Sequence, residues 1–402
     1  MTEPLAVWTA GVRTGILERR ELYVFGYERN VPDSHAVSLT MPLRLQSWTS
    51  RSLHPIFQMN LPEGALLESI RNAIAKLTGA DDMTLLRVVG THLIGRNRFT
   101  SVEESQPTFE PATESLKDIL KYPDTSELFQ DLMRKYALRS GVSGIQPKVL
   151  LETKERAAIH IESWIVKSSG DDYPLLATNE YFCMLAAKKA GLTVSQFHLS
   201  EDGRLFIMKR FDRDARRGYF GFEDFCVLQG LDAVEKYSGS YERAVKTINQ
   251  FVSTENRQNA REQFFATVAL SVILRNGDAH LKNFGVLYAD TAAAERTLAP
   301  VYDIVTTVAY IPKDIPALTL EGRKIWWDRK TVIRFGTTHC GLTASATESL
   351  IERLADAVED TRKKLERYLR RTPKFMKIGN AMLQAWNQGL TLGTREDDRN
   401  GS

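Results

Sequence analysis

Short apolar runs separated by polar breaks fill the amino-terminal part of the chain, and long helical rhythms take over towards the carboxyl terminus. Residues 5–8, 22–25 and 36–39 are expected to be strands, with Gly11, Gly15 and Gly26 where turns would fall. After the break Leu61-Pro62-Glu63-Gly64, apolar residues at 66, 67, 70, 73, 74 and 77 follow the three-and-four spacing of a helix. A second helix is expected over 83–93. The polar stretch 101–114, with Pro107 and Pro111, reads as a linker and sets the first domain boundary. Helices are expected again at 116–120 and 126–136.

A glycine- and serine-rich loop, Ser140-Gly141-Val142-Ser143-Gly144-Ile145-Gln146-Pro147-Lys148, leads into a strand at 149–151. A second strand, 158–167, ends on Lys167. Asn179 and Glu180 open a helix over 181–190, and strands follow at 194–199 and 205–208. Glu180 is either a partner for Lys167 or an acid favoured by its helix N-terminus. Beyond Gly218 the pattern turns helical, at 241–251 and then at 257–274, which is so apolar that it must be largely buried. Residues 345–371 form a long amphipathic helix with a Ser345/Glu348 capping box, stopped by Pro373 and followed by a helix over 375–386. Basic residues around Trp326 and Trp327 fit a half-buried strand better than a nucleic-acid surface.

The chain has 402 residues and an apolar fraction of 43%, enough for two or three domains with a true core. Its 53 basic and 50 acidic residues nearly cancel, so overall charge selects no polyanionic partner. Cys183, Cys226 and Cys340 are odd in number and far apart, which fits neither a disulfide framework nor a Cys-x-x-Cys metal site. No segment has the composition of a signal peptide or a membrane span. A soluble, cytoplasmic protein with no membrane partner is expected.

The chemistry concentrates in Leu274-Arg275-Asn276-Gly277-Asp278-Ala279-His280-Leu281-Lys282-Asn283-Phe284-Gly285 and, after a second apolar stretch, in Pro300-Val301-Tyr302-Asp303-Ile304. Two short strands joined by a turn at 289–295 would form a hairpin and return Asp303 to the end where Asn283 lies. An amide oxygen beside a carboxylate is the kind of hard-oxygen pair that Mg²⁺ takes together with phosphate oxygens. Asp278 would then accept the proton of an attacking hydroxyl, a division of labour seen in phosphoryl transfer. A polar loop whose Asp and Asn cap turns is the plain alternative.

Together, the Ser-Gly-Ile-Gln-Pro-Lys loop, the Asn-Gly-Asp-Ala-His-Leu-Lys-Asn-Phe loop and Pro-Val-Tyr-Asp-Ile resemble the motifs of HipA-like serine/threonine kinases of bacterial toxin–antitoxin systems, in the same order. Leu61-Pro62-Glu63-Gly64, Asn179-Glu180-Tyr181 and Arg210-Phe211-Asp212-Arg213 resemble further motifs of that family. The resemblance covers nearly the whole chain. It implies an α+β, two-lobed protein-kinase-like fold: a small β-rich N-terminal subdomain (1–105), the rest of the small lobe (106–212), a mostly helical C-terminal lobe (213–390) and a flexible tail (391–402).

The resemblance also implies ATP and Mg²⁺ as cofactors. Ser143, Gly144, Ile145, Gln146, Pro147 and Lys148 would line the triphosphate, with Lys167 on its phosphates. Lys209, Arg210 and Phe211 would border the adenine. Asp278 would be the catalytic base, and His280 would support the catalytic loop and border the nucleotide. Asn283 and Asp303 would hold the metal, and Leu281, Lys282 and Tyr302 would complete the nucleotide site. The implied protein substrate is an aminoacyl-tRNA synthetase, and the implied partner is a helix-turn-helix antitoxin through which operator DNA is contacted. Family members also switch off by phosphorylating a serine of the phosphate loop. Here Gly141 replaces the earlier of two usual serines, leaving Ser143 as first candidate and Ser140 as second. Lys209 likewise stands where the family commonly has glutamate. A small-molecule kinase and a non-catalytic co-repressor are the alternative functions.

Overall fold

The computed structural model describes residues 3–74, 81–104, 114–142, 146–154, 161–214 and 218–393. Ser143, Gly144 and Ile145, the linker residues 105–113, residues 158–160 of the expected second strand and the tail from 394 onwards lie outside the described residues. In chain order the strands are β1 (Leu5–Thr9), β2 (Val12–Arg19), β3 (Tyr23–Tyr27), β4 (Trp48–Ser50), β5 (Asn97–Ser101), β6 (Lys148–Lys154) and β7 (Ile161–Lys167). They continue with β8 (Phe197–Leu199), β9 (Phe206–Lys209), β10 (Arg213–Asp214), β11 (Gly218–Tyr219), β12 (Gly221–Asp224), β13 (Gly285–Tyr288) and β14 (Arg296–Leu298). The first α-helices are α1 (Pro55–Gln58), α2 (Gly64–Ile74), α3 (Asp82–Val89), α4 (Leu116–Leu120), α5 (Thr125–Tyr136) and α6 (Leu176–Lys189). After them come α7 (Phe225–Leu228), α8 (Tyr241–Phe251), α9 (Arg257–Leu274), α10 (Arg329–Thr338), α11 (Ala344–Arg371) and α12 (Met376–Leu390).

The chain divides into two compact units. One comprises residues 1–172, 197–236 and 285–299; the other comprises 173–196, 237–284 and 300–402. All strands among the described residues fall in the first, here the sheet unit, and the six helices α6 and α8 to α12 in the second, the helical unit.

The sheet unit holds a five-stranded antiparallel sheet of order β4-β3-β2-β1-β5 and a four-stranded one of order β6-β7-β9-β8. Phe25, Phe57 and Phe99 pack edge to face in its amino-terminal core, with centroids 5.4 and 5.7 Å apart. Residues 36–39 do not form the expected strand. Tyr27 holds them as a loop, its hydroxyl accepting from the Val37 N–H and donating to the Met41 carbonyl. Gly15 and Gly26 lie inside β2 and β3 and not at turns, because the Phe25 ring fills the space a side chain at Gly15 would need.

Beyond Gly218 the chain forms a strand before it turns helical. β12 pairs with β13, and β13 with β14, so the expected hairpin is present as the outer part of a three-stranded sheet. Glu223 of β12 is fully buried. Its carboxylate accepts from the Ser38 hydroxyl, the Leu39 N–H and the Tyr288 hydroxyl at 2.7, 2.7 and 2.5 Å. Burial raises its pKa above the usual carboxylate range.

In the helical unit, α9 is buried on all sides from Phe264 to Leu274 and packs against α8, α11 and α12. Each such large apolar side chain stabilises the fold by roughly 1.5–3 kcal/mol. Helix α6 begins at Leu176 and not at Tyr181. Leu175, in the left-handed region with φ 57°, redirects the chain there without a side-chain cap. The cap of α11 is Thr343, whose hydroxyl accepts from the Ala346 N–H, in place of the expected Ser345/Glu348 box. Residues 322–328 are irregular and not a strand. Trp327 is buried edge-on against Tyr241, and the Trp326 indole donates to the Asp314 carbonyl at 3.0 Å. No helix among the described residues is long and apolar enough to cross a membrane.

Candidate active site

Helix α9 ends at Arg275, which adopts the left-handed conformation with φ 56°. The Asn276 N–H reaches back to the Ser271 carbonyl at 2.8 Å, and its side-chain oxygen accepts from the Asp278 N–H at 3.1 Å. The turn that presents Asp278 is thus closed by its own asparagine. Gly277 has no room for a side chain, since a Cβ there would lie 2.1 Å from Oδ2 of Asp314. Its N–H donates to Oγ1 of Thr307 at 2.7 Å, and that hydroxyl donates to the Arg275 carbonyl at 3.2 Å.

Asp278 is partly exposed, and its Oδ1 accepts a hydrogen bond from the Tyr237 hydroxyl at 2.8 Å. Nε2 of the buried His280 lies 3.9 Å from the same oxygen, and the Tyr237 and His280 rings meet edge to face at 5.1 Å. Two further phenols fix the loop backbone. The Tyr241 hydroxyl donates to the Ala279 carbonyl at 3.1 Å, and the Tyr302 hydroxyl to the Lys282 carbonyl at 2.7 Å. Burial raises the pKa of Tyr241 above its ordinary value, which keeps it a donor. Leu281 is fully buried, and Phe284 packs on Phe264 with centroids 4.8 Å apart.

Asn283 and Asp303 come together in the helical unit. Nδ2 of Asn283 donates to the backbone carbonyl of Asp303 at 3.3 Å, while its Oδ1 is buried with no hydrogen-bond partner among the described residues. A buried amide oxygen left open in this way is costly without a ligand. It suits a hard cation that takes few protein oxygens and fills its other positions with phosphate and water. Asp303 has φ 56°, a left-handed conformation that costs a non-glycine residue about 1–2 kcal/mol.

The segment after Asp303 is held by α6 and α12. The Asn179 amide clasps the Thr306 peptide in both directions, Nδ2 to the carbonyl at 3.1 Å and N–H to Oδ1 at 2.8 Å. The Trp386 indole donates to the Thr306 hydroxyl at 2.7 Å, and Sγ of Cys183 lies 3.4 Å from that hydroxyl. Burial pushes the Cys183 thiol up to about 12, so it stays protonated in this apolar setting.

In the sheet unit, Ser140 is fully buried. Its hydroxyl donates to the Tyr136 carbonyl at 2.8 Å and accepts from the Leu150 N–H at 2.9 Å. Gly141 lies so close to Leu93 that any side chain would collide with it, and its N–H donates to the His92 carbonyl. These contacts fasten the start of the glycine-rich loop to the amino-terminal subdomain. At its other end, Nε2 of Gln146 is buried without a hydrogen-bond partner among the described residues, and the Pro147 carbonyl accepts from the Ser168 N–H. Lys148 and Lys167 stand directly opposite each other on β6 and β7, and both are buried.

Lys209 ends β9 with its ammonium paired to Glu162. Arg210 and Asp212 form a buried ion pair at 2.6 Å, which also binds the Leu93 carbonyl and the Gly95 N–H. The Arg210 side chain is therefore committed to the amino-terminal subdomain. Phe211 packs on Phe222 at 5.5 Å. Glu180 is buried on α6 in the helical unit.

Residues 5–100 match the family model of the HipA N-terminal domain, and residues 140–362, more than half of the chain, match that of the HipA-like C-terminal domain. The chain belongs to the HipA-like family. Two Sinorhizobium fredii proteins, named "Putative kinase Y4dM" and "Putative kinase Y4mE", are 26% and 27% identical to this HipA-like chain. The first match spans 82% of the chain and 80% of the relative, the second 68% and 69%. The solved structure of Shewanella oneidensis HipA, in complex with HipB and its operator DNA, matches with a TM-score of 0.70 at 17% identity. It covers 99% of this chain and 100% of that one, and the fold is the two-lobed, kinase-like α+β fold.

Tyr237, Thr306, Thr307 and Trp386 of this HipA-like chain shape the loop but carry no signal in the sequence. Tyr237 is 41 residues from Asp278, and Trp386 is 80 from Thr306. Asn179 stood within a family-like motif, yet its bond to Thr306 crosses 127 residues.

Proposed function

We propose that this HipA-like protein is an ATP-dependent serine/threonine protein kinase, the toxin of a toxin–antitoxin pair. The supporting observation is the hydrogen bond that joins Asn283, on the loop that also carries Asp278, to the Asp303 carbonyl, with the Asn283 amide oxygen buried and open to a ligand. In this reading Asp278 takes the proton of the acceptor hydroxyl, helped by the loop bonds that hold its backbone. Asn283 and Asp303 hold Mg²⁺, which when bound neutralises charge on the phosphoryl oxygens. Lys148 and Lys167 contact the phosphates, while Gln146 and Pro147 line the phosphate loop with residues 143–145. Lys209, Arg210 and Phe211 would border the adenine through backbone and ring, since the side chains of Lys209 and Arg210 are engaged elsewhere.

An inhibitory self-phosphorylation would fall on Ser143, because the Ser140 hydroxyl is buried and bonded on both sides. The Shewanella oneidensis complex supports a DNA-binding antitoxin as the partner. An aminoacyl-tRNA synthetase is the proposed acceptor protein.

The test is transfer of labelled γ-phosphate from ATP in a cell lysate. Asp278→Asn is expected to lower transfer by about a thousandfold and to relieve growth arrest on expression. Undiminished labelling in that variant would exclude Asp278 as the base.

A further inference from the structure

Six large apolar side chains of the helical unit are exposed among its described residues: Tyr173, Tyr237, Ile311, Ile315, Ile325 and Met376. Met376 opens α12; the other five lie on segments that join around the turn carrying Asp278. Tyr237 bonds Asp278 directly. A Cβ on Gly277 would lie 2.8 Å from the Ile315 carbonyl oxygen, so Ile315 backs onto the turn itself. Ile325 is fixed between Lys324, which donates to the Tyr237 carbonyl at 3.1 Å, and Trp326, whose indole donates to the Asp314 carbonyl. The Ile311 carbonyl accepts from the Asp314 N–H, and the neighbouring Tyr310 ring packs on that of Tyr173 at 5.6 Å. Exposed apolar side chains scattered singly are ordinary, but a cluster marks a surface that another molecule covers. Ile311, Ile315 and Ile325 are 44%, 50% and 48% exposed. Pro312 and Pro316 follow the first two and limit how far the backbone can turn them away from water. Lys313 and Arg323 are exposed on the same segments and form no ion pair among the described residues.

We propose that this apolar patch is the docking surface for the acceptor protein and grips the short extended segment that brings its hydroxyl to Asp278. The idea rests on the protein being a kinase with Asp278 as its base. The segment would carry apolar residues within a few positions of its serine or threonine, to cover Ile315 and Ile325. An acidic residue beside them would meet Lys313 or Arg323. Five side chains fall far short of the roughly 20–30 residues a side in a stable dimer, so a segment is favoured over a second copy of the chain. A platform held by two prolines and by backbone hydrogen bonds also has little left to order when the segment binds.

The test needs no identified acceptor. The full chain and a double variant, Ile315→Ser with Ile325→Ser, are given labelled ATP and Mg²⁺ with either cell lysate or a library of serine-centred peptides. In the library each flanking position is fixed in turn. The parent is expected to favour Leu, Ile or Phe near the serine, and acidic over basic flanks. The double variant should lose the apolar preference and label lysate proteins about tenfold more slowly, the worth of two half-covered isoleucines, with the KM for ATP unchanged. Lysate labelling at the parent's rate in the double variant would overturn the docking surface and leave the kinase intact. A parent that ignores apolar flanks, or prefers basic ones, would do the same. Light scattering that finds the parent dimeric and the double variant monomeric would assign the patch to a second copy and overturn the proposal. No labelling of peptide or lysate by the parent would remove the kinase reading, and the docking surface with it.

Discussion

Lys148 and Lys167 owe their places to strand register, whereas Asp278, Asn283 and Asp303 owe theirs to single side chains that bond loop backbone. Moving either lysine means slipping a strand, which would break a whole ladder and turn every side chain to the opposite face. The loops of the helical unit have no ladder. Tyr241, Tyr302, Thr307 and Asn179 each supply one or two bonds, so each is a separate point of failure. Substitutions in the sheet should act through the altered side chain alone. Those around the loops should act at a distance.

The largest such effect should come from Asn179→Ala. It removes both Asn179 bonds from the buried Thr306 peptide, leaving only the longer one from the Ala309 N–H to its carbonyl, and frees the strained backbone at Asp303. The expected loss is roughly 2–4 kcal/mol in chemical denaturation, with kcat for phosphate transfer falling by about a hundredfold. A rise in the KM for ATP at unchanged kcat would break the comparison. Next comes Lys148→Met, expected to raise the KM for ATP about tenfold through one lost charged contact, with kcat within about threefold of the parent. A collapse of kcat would mean that the lysine also supports the loops.

The smallest effect concerns acid. Burial lowers the pKa of His54 in the sheet unit to about 4, and its Nδ1 caps α1 by accepting from the Ile56 N–H. The unfolded chain protonates near the ordinary pKa of about 6.5 while the folded one resists. Stability is therefore complete above that pH and declines as pH falls towards 4, by about 1 kcal/mol at pH 6. His54→Asn keeps a capping acceptor and removes the titration. Its unfolding free energy should fall less between pH 7.5 and 6 than the parent's, and equal slopes would exclude His54 as the source.

What could be read from the sequence follows the same division. Helices α8 and α9 match their expected bounds because Ser240 caps the first and a dense apolar rhythm marks the second. The motif around Asp278 was legible because its members are adjacent in the chain. Strand β12 was not, since buried Glu223 looks like a surface acid until Ser38, Leu39 and Tyr288 surround it. The same holds for Tyr237 and Thr306, whose partners lie far away in sequence. A buried polar group satisfied by distant residues leaves no local pattern to read.

The path of the backbone between the two units has a bearing on how such a protein can be divided. The chain passes from one unit to the other five times, at 172/173, 196/197, 236/237, 284/285 and 299/300. The β13–β14 hairpin alone makes two of these passages, between Asn283 and Asp303. A nested layout of this kind gives a stop codon or a protease nowhere to release either unit whole. Gene fission that preserved both would have to reconnect interleaved segments, so the two units are bound to be inherited together.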